Sequence, residues 1–125
     1  MFWLMTKKPI AYWVTTGLAV FAFTAGGVAD LARGSDVVAA LTHLGYPTYL
    51  ATLLGIWKLL GAAAIAAPRL PRLKEWAYAG MLFDLSGAAF SHAASGDGLR
   101  AIATPLALLV VVLASWALRP AERRL

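Results

Sequence analysis

Four apolar stretches fill most of this chain, and together they contain only two charges. Residues 10–29 and 101–118 carry none, residues 50–67 carry Lys58 alone, and residues 76–91 carry Asp84 alone. A helix needs ~20 residues, within about 17–25, to cross ~30 Å of hydrocarbon. Strict alternation is absent, and Gly and Ala are denser than strands tolerate. The chain is 61% hydrophobic and 14% charged over 125 residues, whereas soluble domains run at roughly 45–50% and 25%. The expectation is therefore an all-α integral membrane protein: a single domain, 1–125, built as a four-transmembrane-helix bundle. The stretch 76–91 is short for a span, so its helix should extend to Glu75 or past His92, or the bilayer should thin around it.

The remaining charges orient the spans. Lys7, Lys8, Arg69, Arg72, Lys74, Arg119, Arg123 and Arg124 fall on one side of the alternating topology, and only Arg33 and Arg100 on the other, with Asp30, Asp36 and Asp97. The positive-inside rule then puts both termini and the middle loop in the cytoplasm. Lys7-Lys8, the run after it and Gly27-Val28-Ala29 imitate a cleaved leader. The hydrophobic start Met1-Phe2-Trp3-Leu4-Met5 argues for a retained helix instead. Pro68 and Pro71 predict a tight turn that makes the second and third spans antiparallel neighbours. In the longer outer loop, Val37, Val38, Leu41 and Leu44 recur at helical spacing. They predict a short interfacial helix at about 36–44, capped by Ser35 or Asp36 and ended by Gly45 and Pro47.

Lys58 and Asp84 are the chemically informative pair. An ionisable group in mid-membrane costs at least ~2.5–3.5 kcal/mol and normally faces the protein interior with a partner. Counted from the cytoplasmic ends, the two lie ~13 Å and ~12 Å deep on adjacent helices. Small residues flank both: Ala51, Gly55 and Ala62 near Lys58, and Ala77, Gly80, Gly87 and Ser91 near Asp84. Such residues let helices approach closely in lipid, so a Lys58–Asp84 salt bridge is expected. The pair either fixes helix register, or opens to hold a polar headgroup such as a quinone carbonyl or to relay a proton, or else one of the two takes a different partner. Trp57 and Tyr78 are near enough in sequence to line the same pocket, although aromatics in spans more often pack or sit at the interface. His92, at the outer boundary, pairs with Asp97 or shares a metal with His43 and Asp30. Two histidines on separate loops without fixed spacing form a weak metal signal, and no metal is assigned. Thr15, Thr16 and Thr24 are expected to bond back to their own helix.

Several classes are excluded. The absence of cysteine removes disulfides, thiol catalysis and Cys-ligated centres. The net charge of +5 does not indicate nucleic acid, because no basic run is interleaved with stacking aromatics. No nucleophile–base pair, phosphate loop or paired carboxylates mark a hydrolase or phosphotransferase.

The chain resembles the DoxX-like family of small bacterial membrane proteins. The resemblance rests on Gly55-Ile56-Trp57-Lys58-Leu59-Leu60-Gly61-Ala62, Pro68, Leu73-Lys74-Glu75-Trp76-Ala77-Tyr78-Ala79-Gly80, Phe83-Asp84-Leu85, Gly87-Ala88 and Ser91-His92. It is strongest over residues 55–98. It implies a four-helix bundle in the bacterial cytoplasmic membrane, multi-pass, with a loose link to respiratory or sulfur-oxidising systems. Lys58, Asp84 and His92 carry over as site candidates without assigned roles; Trp57 and Tyr78 join them from their positions. The function expected is a membrane subunit of a redox system, or a partner that contacts quinone or another lipophilic ligand, rather than a stand-alone enzyme. The alternatives are a lipophilic-molecule binder or permease, and a non-catalytic assembly protein. No cofactor is evident in the sequence; quinone is the one candidate. The expected partners are the lipid bilayer, oxidoreductase subunits and, in a homo-oligomer, further copies of the chain.

Overall fold

The computed structural model describes the backbone from Phe2 to Leu125 and the side chains from Lys7 onward. Met1 and the side chains of the hydrophobic start lie outside the described residues. Five α-helices follow in order: α1 (Phe2–Ala32), α2 (Ser35–His43), α3 (Leu50–Ala66), α4 (Pro71–Ala94) and α5 (Leu99–Ala117). A single 3₁₀ turn, Ala121–Arg123, comes after them. Among the described residues there is no strand. Lys7–Ala32 within α1 and the whole of α5 are long and apolar enough to cross a membrane, while α3 is apolar but shorter.

Two boundaries matter for the site: the first differs from the sequence expectation and the second follows it. Helix α1 runs past residue 29, so Asp30 is helical and not part of the outer loop. Helix α4 extends beyond residues 76–91 in both directions, taking in Glu75 and His92. Helix α2 is capped by Gly34, with no side-chain cap bond from the expected Ser35 or Asp36. It closes as expected at Gly45, whose φ of +84° allows the Gly45 and Tyr46 amides to donate to Thr42 O and Leu41 O. This αL closure satisfies two terminal carbonyls. The end of α4 repeats it at Gly96 (φ +74°), with Gly96 and Asp97 donating to Ala93 O and His92 O.

The most extensive packing is α1 against α3 and α4 against α5, and α1–α5 and α3–α4 contacts complete the arrangement. All four long helices contribute to one core, including Phe23, Ile65, Met81, Leu85 and Val112. A buried hydroxyl network runs through it. Ser115 Oγ is 2.5 Å from Thr16 Oγ1 and 2.7 Å from Tyr78 Oη. In low dielectric, such mutually satisfied groups fix which helix faces meet. Thr15 does bond back to its own helix, at Ala11 O and Tyr12 O. Thr16 instead reaches across to α5.

The cations expected on one side do assemble at one end of the molecule. Fully buried Lys74 donates to Ala64 O at 2.8 Å and to Ala67 O, covering carbonyls that the end of α3 leaves open. This contact braces the α3–α4 turn, in which Arg69 and Leu70 both adopt positive φ, 59° and 53°. Arg119 pairs with Glu75, and Arg123 reaches Tyr12 Oη and Ile65 O. The opposite end gathers Asp30, Arg33, His43, His92 and Asp97, where Arg33 Nε donates to Thr52 Oγ1 at 3.0 Å.

Candidate functional site

Helix α3 presents two unlike faces. On the first, Gly55 meets Gly27 of α1 so closely that a Cβ on Gly55 would sit 2.9 Å from Gly27 O and 3.0 Å from Leu31 N. One turn along from each glycine comes a charge, Asp30 after Gly27 and Lys58 after Gly55. Lys58 Nζ lies 2.8 Å from Asp30 Oδ2. Among the described residues no other group satisfies that buried oxygen, so the Lys58 ammonium is what compensates it.

This corrects the expected Lys58–Asp84 salt bridge. Equal Cα depth was the wrong criterion. Helical side chains lean toward the N-terminus of their helix, which for α3 is the end where Asp30 stands. The long Lys58 stem follows that direction past Gly26, where a Cβ would lie 3.6 Å from Nζ. Asp84 remains within electrostatic reach of both Lys58 and Asp30, but among the described residues no cation comes within ion-pair distance of it.

The second face of α3 borders a groove of ≈ 390 Å³ against α4, lined by Trp57, Gly61, Trp76, Gly80 and Asp84 among others. A smaller hollow of ≈ 220 Å³ continues it beneath α2, between Leu41, Tyr46 and Ser91. Asp84 and Leu54 border both. Together the two hollows make a trough that follows α4 from Leu73 to Ser91, about 27 Å at 1.5 Å per residue, with Asp84 and Leu54 at the wall between them. The trough exists because the α4 stripe is small. A Cβ on Gly80 or Gly87 would meet nothing within 4 Å. Tyr46 Oη and Ser91 Oγ close the α2 end with a 2.6 Å hydrogen bond.

Of the five candidates, Trp57 and Asp84 share the trough, and the other three do not line it. Lys58 turns to α1. Tyr78 is 4% exposed in the core and bonds Ser115; six residues from Asp84, it points about 240° around the helix. His92 stands at the α4 end, where its Nδ1 is 2.7 Å from Asp97 Oδ2, while His43 Nε2 is 2.6 Å from Asp97 Oδ1. The hydrogen bonds from His92 and then His43 hold the Asp97 carboxyl below the usual carboxylate range. Asp30, named with these histidines in the metal alternative, is engaged by Lys58 instead. Sequence reasoning missed Asp30 as the partner. The signal was available: Gly-x-x-Asp at 27–30 and Gly-x-x-Lys at 55–58 share one spacing.

An all-helical chain with membrane-length apolar helices, large aromatics such as Phe83 and Phe90 on its exterior and most of its charges, Lys58 and Asp84 apart, outside its apolar stretches defines a small membrane protein. It belongs to the DoxX-like family, whose pattern matches residues 14–115. No curated protein and no solved structure matches the chain.

Proposed function

We propose that the chain is a multi-pass protein of the bacterial cytoplasmic membrane that binds a lipophilic molecule with a polar head, of the quinone class, in the α3–α4 trough. All four long helices cross the bilayer in this reading, with both termini cytoplasmic, and α2 rests on the outer surface. The protein acts as a membrane subunit or partner of a redox system and does not turn over substrate alone. The observation that carries the reading is the position of Asp84: a carboxyl part-way along a mainly apolar trough, without an ion-pair partner of its own among the described residues. Burying such a group without a partner is costly, and a quinone head offers oxygens that can share its proton. The indoles of Trp57 and Trp76 supply apolar area for the ring and tail.

Thermal unfolding of the purified protein with a short-chain quinone analogue tests this. At a free concentration of 100 times Kd, the analogue should add about 2.7 kcal/mol of stability. Gly80→Leu, which fills the trough, should abolish the gain, and Asp84→Asn should weaken it. No gain for the unmodified protein at saturation, or an equal gain in Gly80→Leu, overturns the proposal. Proteoliposome flux that Asp84→Asn abolishes would move the trough's role to a permease.

A further inference from the structure

A second cavity lies at the cation-rich end, away from the α3–α4 trough. It measures ≈ 520 Å³ and is formed by the start of α1 and the segment after α5. Its apolar wall includes Tyr12 and Trp13, and its charged groups are Lys8, Arg119, Arg124 and Glu122.

These charges do not cancel. Arg119 is taken up by Glu75, while Lys8 and Arg124 are exposed and have no carboxylate within ion-pair distance among the described residues. Behind the wall, Arg123 is only 6% exposed. Its hydrogen bonds go to neutral acceptors, Tyr12 Oη at 3.2 Å and Ile65 O at 3.0 Å, and its guanidinium lies 4.8 Å from the Trp13 ring centre. It too has no carboxylate partner among the described residues. Arg124 is tied back by a 2.6 Å bond from its Nε to Arg119 O, which crowds two guanidinium groups together. Burial and then the Arg124 charge lower the Arg119 pKa. Against this excess the cavity holds one acid, Glu122. A buried cation with neutral partners, beside two uncompensated surface cations, is a site short of an anion.

We propose that this cavity binds the phosphate head of an anionic phospholipid from the adjoining leaflet, with Lys8 and Arg124 on the phosphate and Trp13 against the glycerol and first acyl carbons. The aromatic wall favours a lipid over a free anion, because inorganic phosphate has nothing to place against it. Basic pockets at the cytoplasmic ends of membrane helices suit such head groups. The site is independent of what the α3–α4 trough holds.

Native mass spectrometry of the full chain, titrated with phosphatidylglycerol or with phosphatidylcholine of the same acyl length, tests the proposal. The unmodified protein should retain phosphatidylglycerol preferentially. Lys8→Gln/Arg124→Gln should lose roughly 25-fold in affinity, about fivefold per cation, and Lys8→Arg/Arg124→Lys should restore it. Arg69→Gln/Arg72→Gln removes the same charge from the α3–α4 turn and the first turn of α4 at the same end and should leave the preference in place. Both replaced side chains of the first variant are exposed, so the fold is retained. Equal losses in the two Gln variants would reduce the effect to general surface attraction and overturn the site. Equal retention of phosphatidylcholine, or full displacement by millimolar inorganic phosphate, would overturn it as well.

Discussion

The glycines at 27 and 55 and those at 80 and 87 belong to similar small-residue stripes, yet they have opposite consequences. At the α1–α3 crossing, small residues bring two backbones together, and a Cβ on Gly55 would approach Leu31 Cγ to 2.7 Å. Along α4, the same residue type leaves open space facing α3. The difference comes from what stands opposite. Gly55 faces another glycine, so the helices close until backbone meets backbone. Gly80 borders a trough rimmed by Trp57, Trp76 and Leu60, exposed side chains that reach outward and leave the space over the glycine open. One side of α3 is thus a structural seam with a charge pair, and the other is a trough with a lone carboxyl. Small residues in a membrane helix therefore do not by themselves indicate close packing.

The largest effect should come from adding one methyl group to each stripe. Gly55→Ala places a Cβ against the backbone of α1, which cannot yield as a side-chain tip can, and should lower stability by about 1–3 kcal/mol. Gly80→Ala should be neutral or stabilising, by up to about 1 kcal/mol from helix propensity. Thermal unfolding of both variants in one detergent makes the comparison, and equal losses would erase the distinction between seam and trough. Comparable in size is the effect of breaking the charge pair. Lys58→Met leaves Asp30 buried without its cation and should cost about 1–3 kcal/mol, much of it recovered in Lys58→Met/Asp30→Asn. A double-mutant cycle should find stronger coupling between Lys58 and Asp30 than between Lys58 and Asp84. The reverse order would reinstate the pairing suggested by depth alone.

Helical content and the gathering of cations at one end were legible because hydropathy and loop charge act over whole segments. The pairing of helices was harder to read, since it depends on where a few side chains point. Lys58 and Asp84 match in depth, but depth ignores both the lean of a helical side chain and the reach of a lysine. Tyr78 was expected in the pocket for its nearness in sequence, yet the helical period that groups Ala77, Gly80, Asp84, Gly87 and Ser91 on one face turns it into the core. Lys74 and Arg123 were legible as charges near the membrane. Lys74 caps α3 across the turn that joins α3 to α4, a contact set by the turn's positive-φ path and not by residue spacing, while Arg123 buries itself against Tyr12, far away in the chain. The His92–Asp97 contact was legible because it closes over five residues.

Tyr78 gives a smaller test of the same distinction. Tyr78→Phe removes the hydroxyl from the buried network while keeping the ring, and should cost about 1 kcal/mol. Quinone-analogue binding should be unchanged, since the side chain faces the core. A loss of binding without a loss of stability would return Tyr78 to the trough.

The smallest effect concerns how α2 is held over the end of the trough. Asp97 joins the last turns of α2 and α4 through His43 and His92, and its folded pKa is depressed by those bonds. A carboxyl with a depressed pKa contributes stability that is present above its unfolded value, about 3.9, and disappears as pH falls through the lower folded value. Amide exchange in α2 should therefore stay slow as pH is lowered toward 4 and quicken below it, after correction for the intrinsic pH dependence of exchange. Asp97→Asn should show the quickened behaviour already at neutral pH, with the α1–α3 seam unaffected. If acid loosens the seam and α2 together, Asp97 is not the separate fastening of α2 that its two short bonds describe.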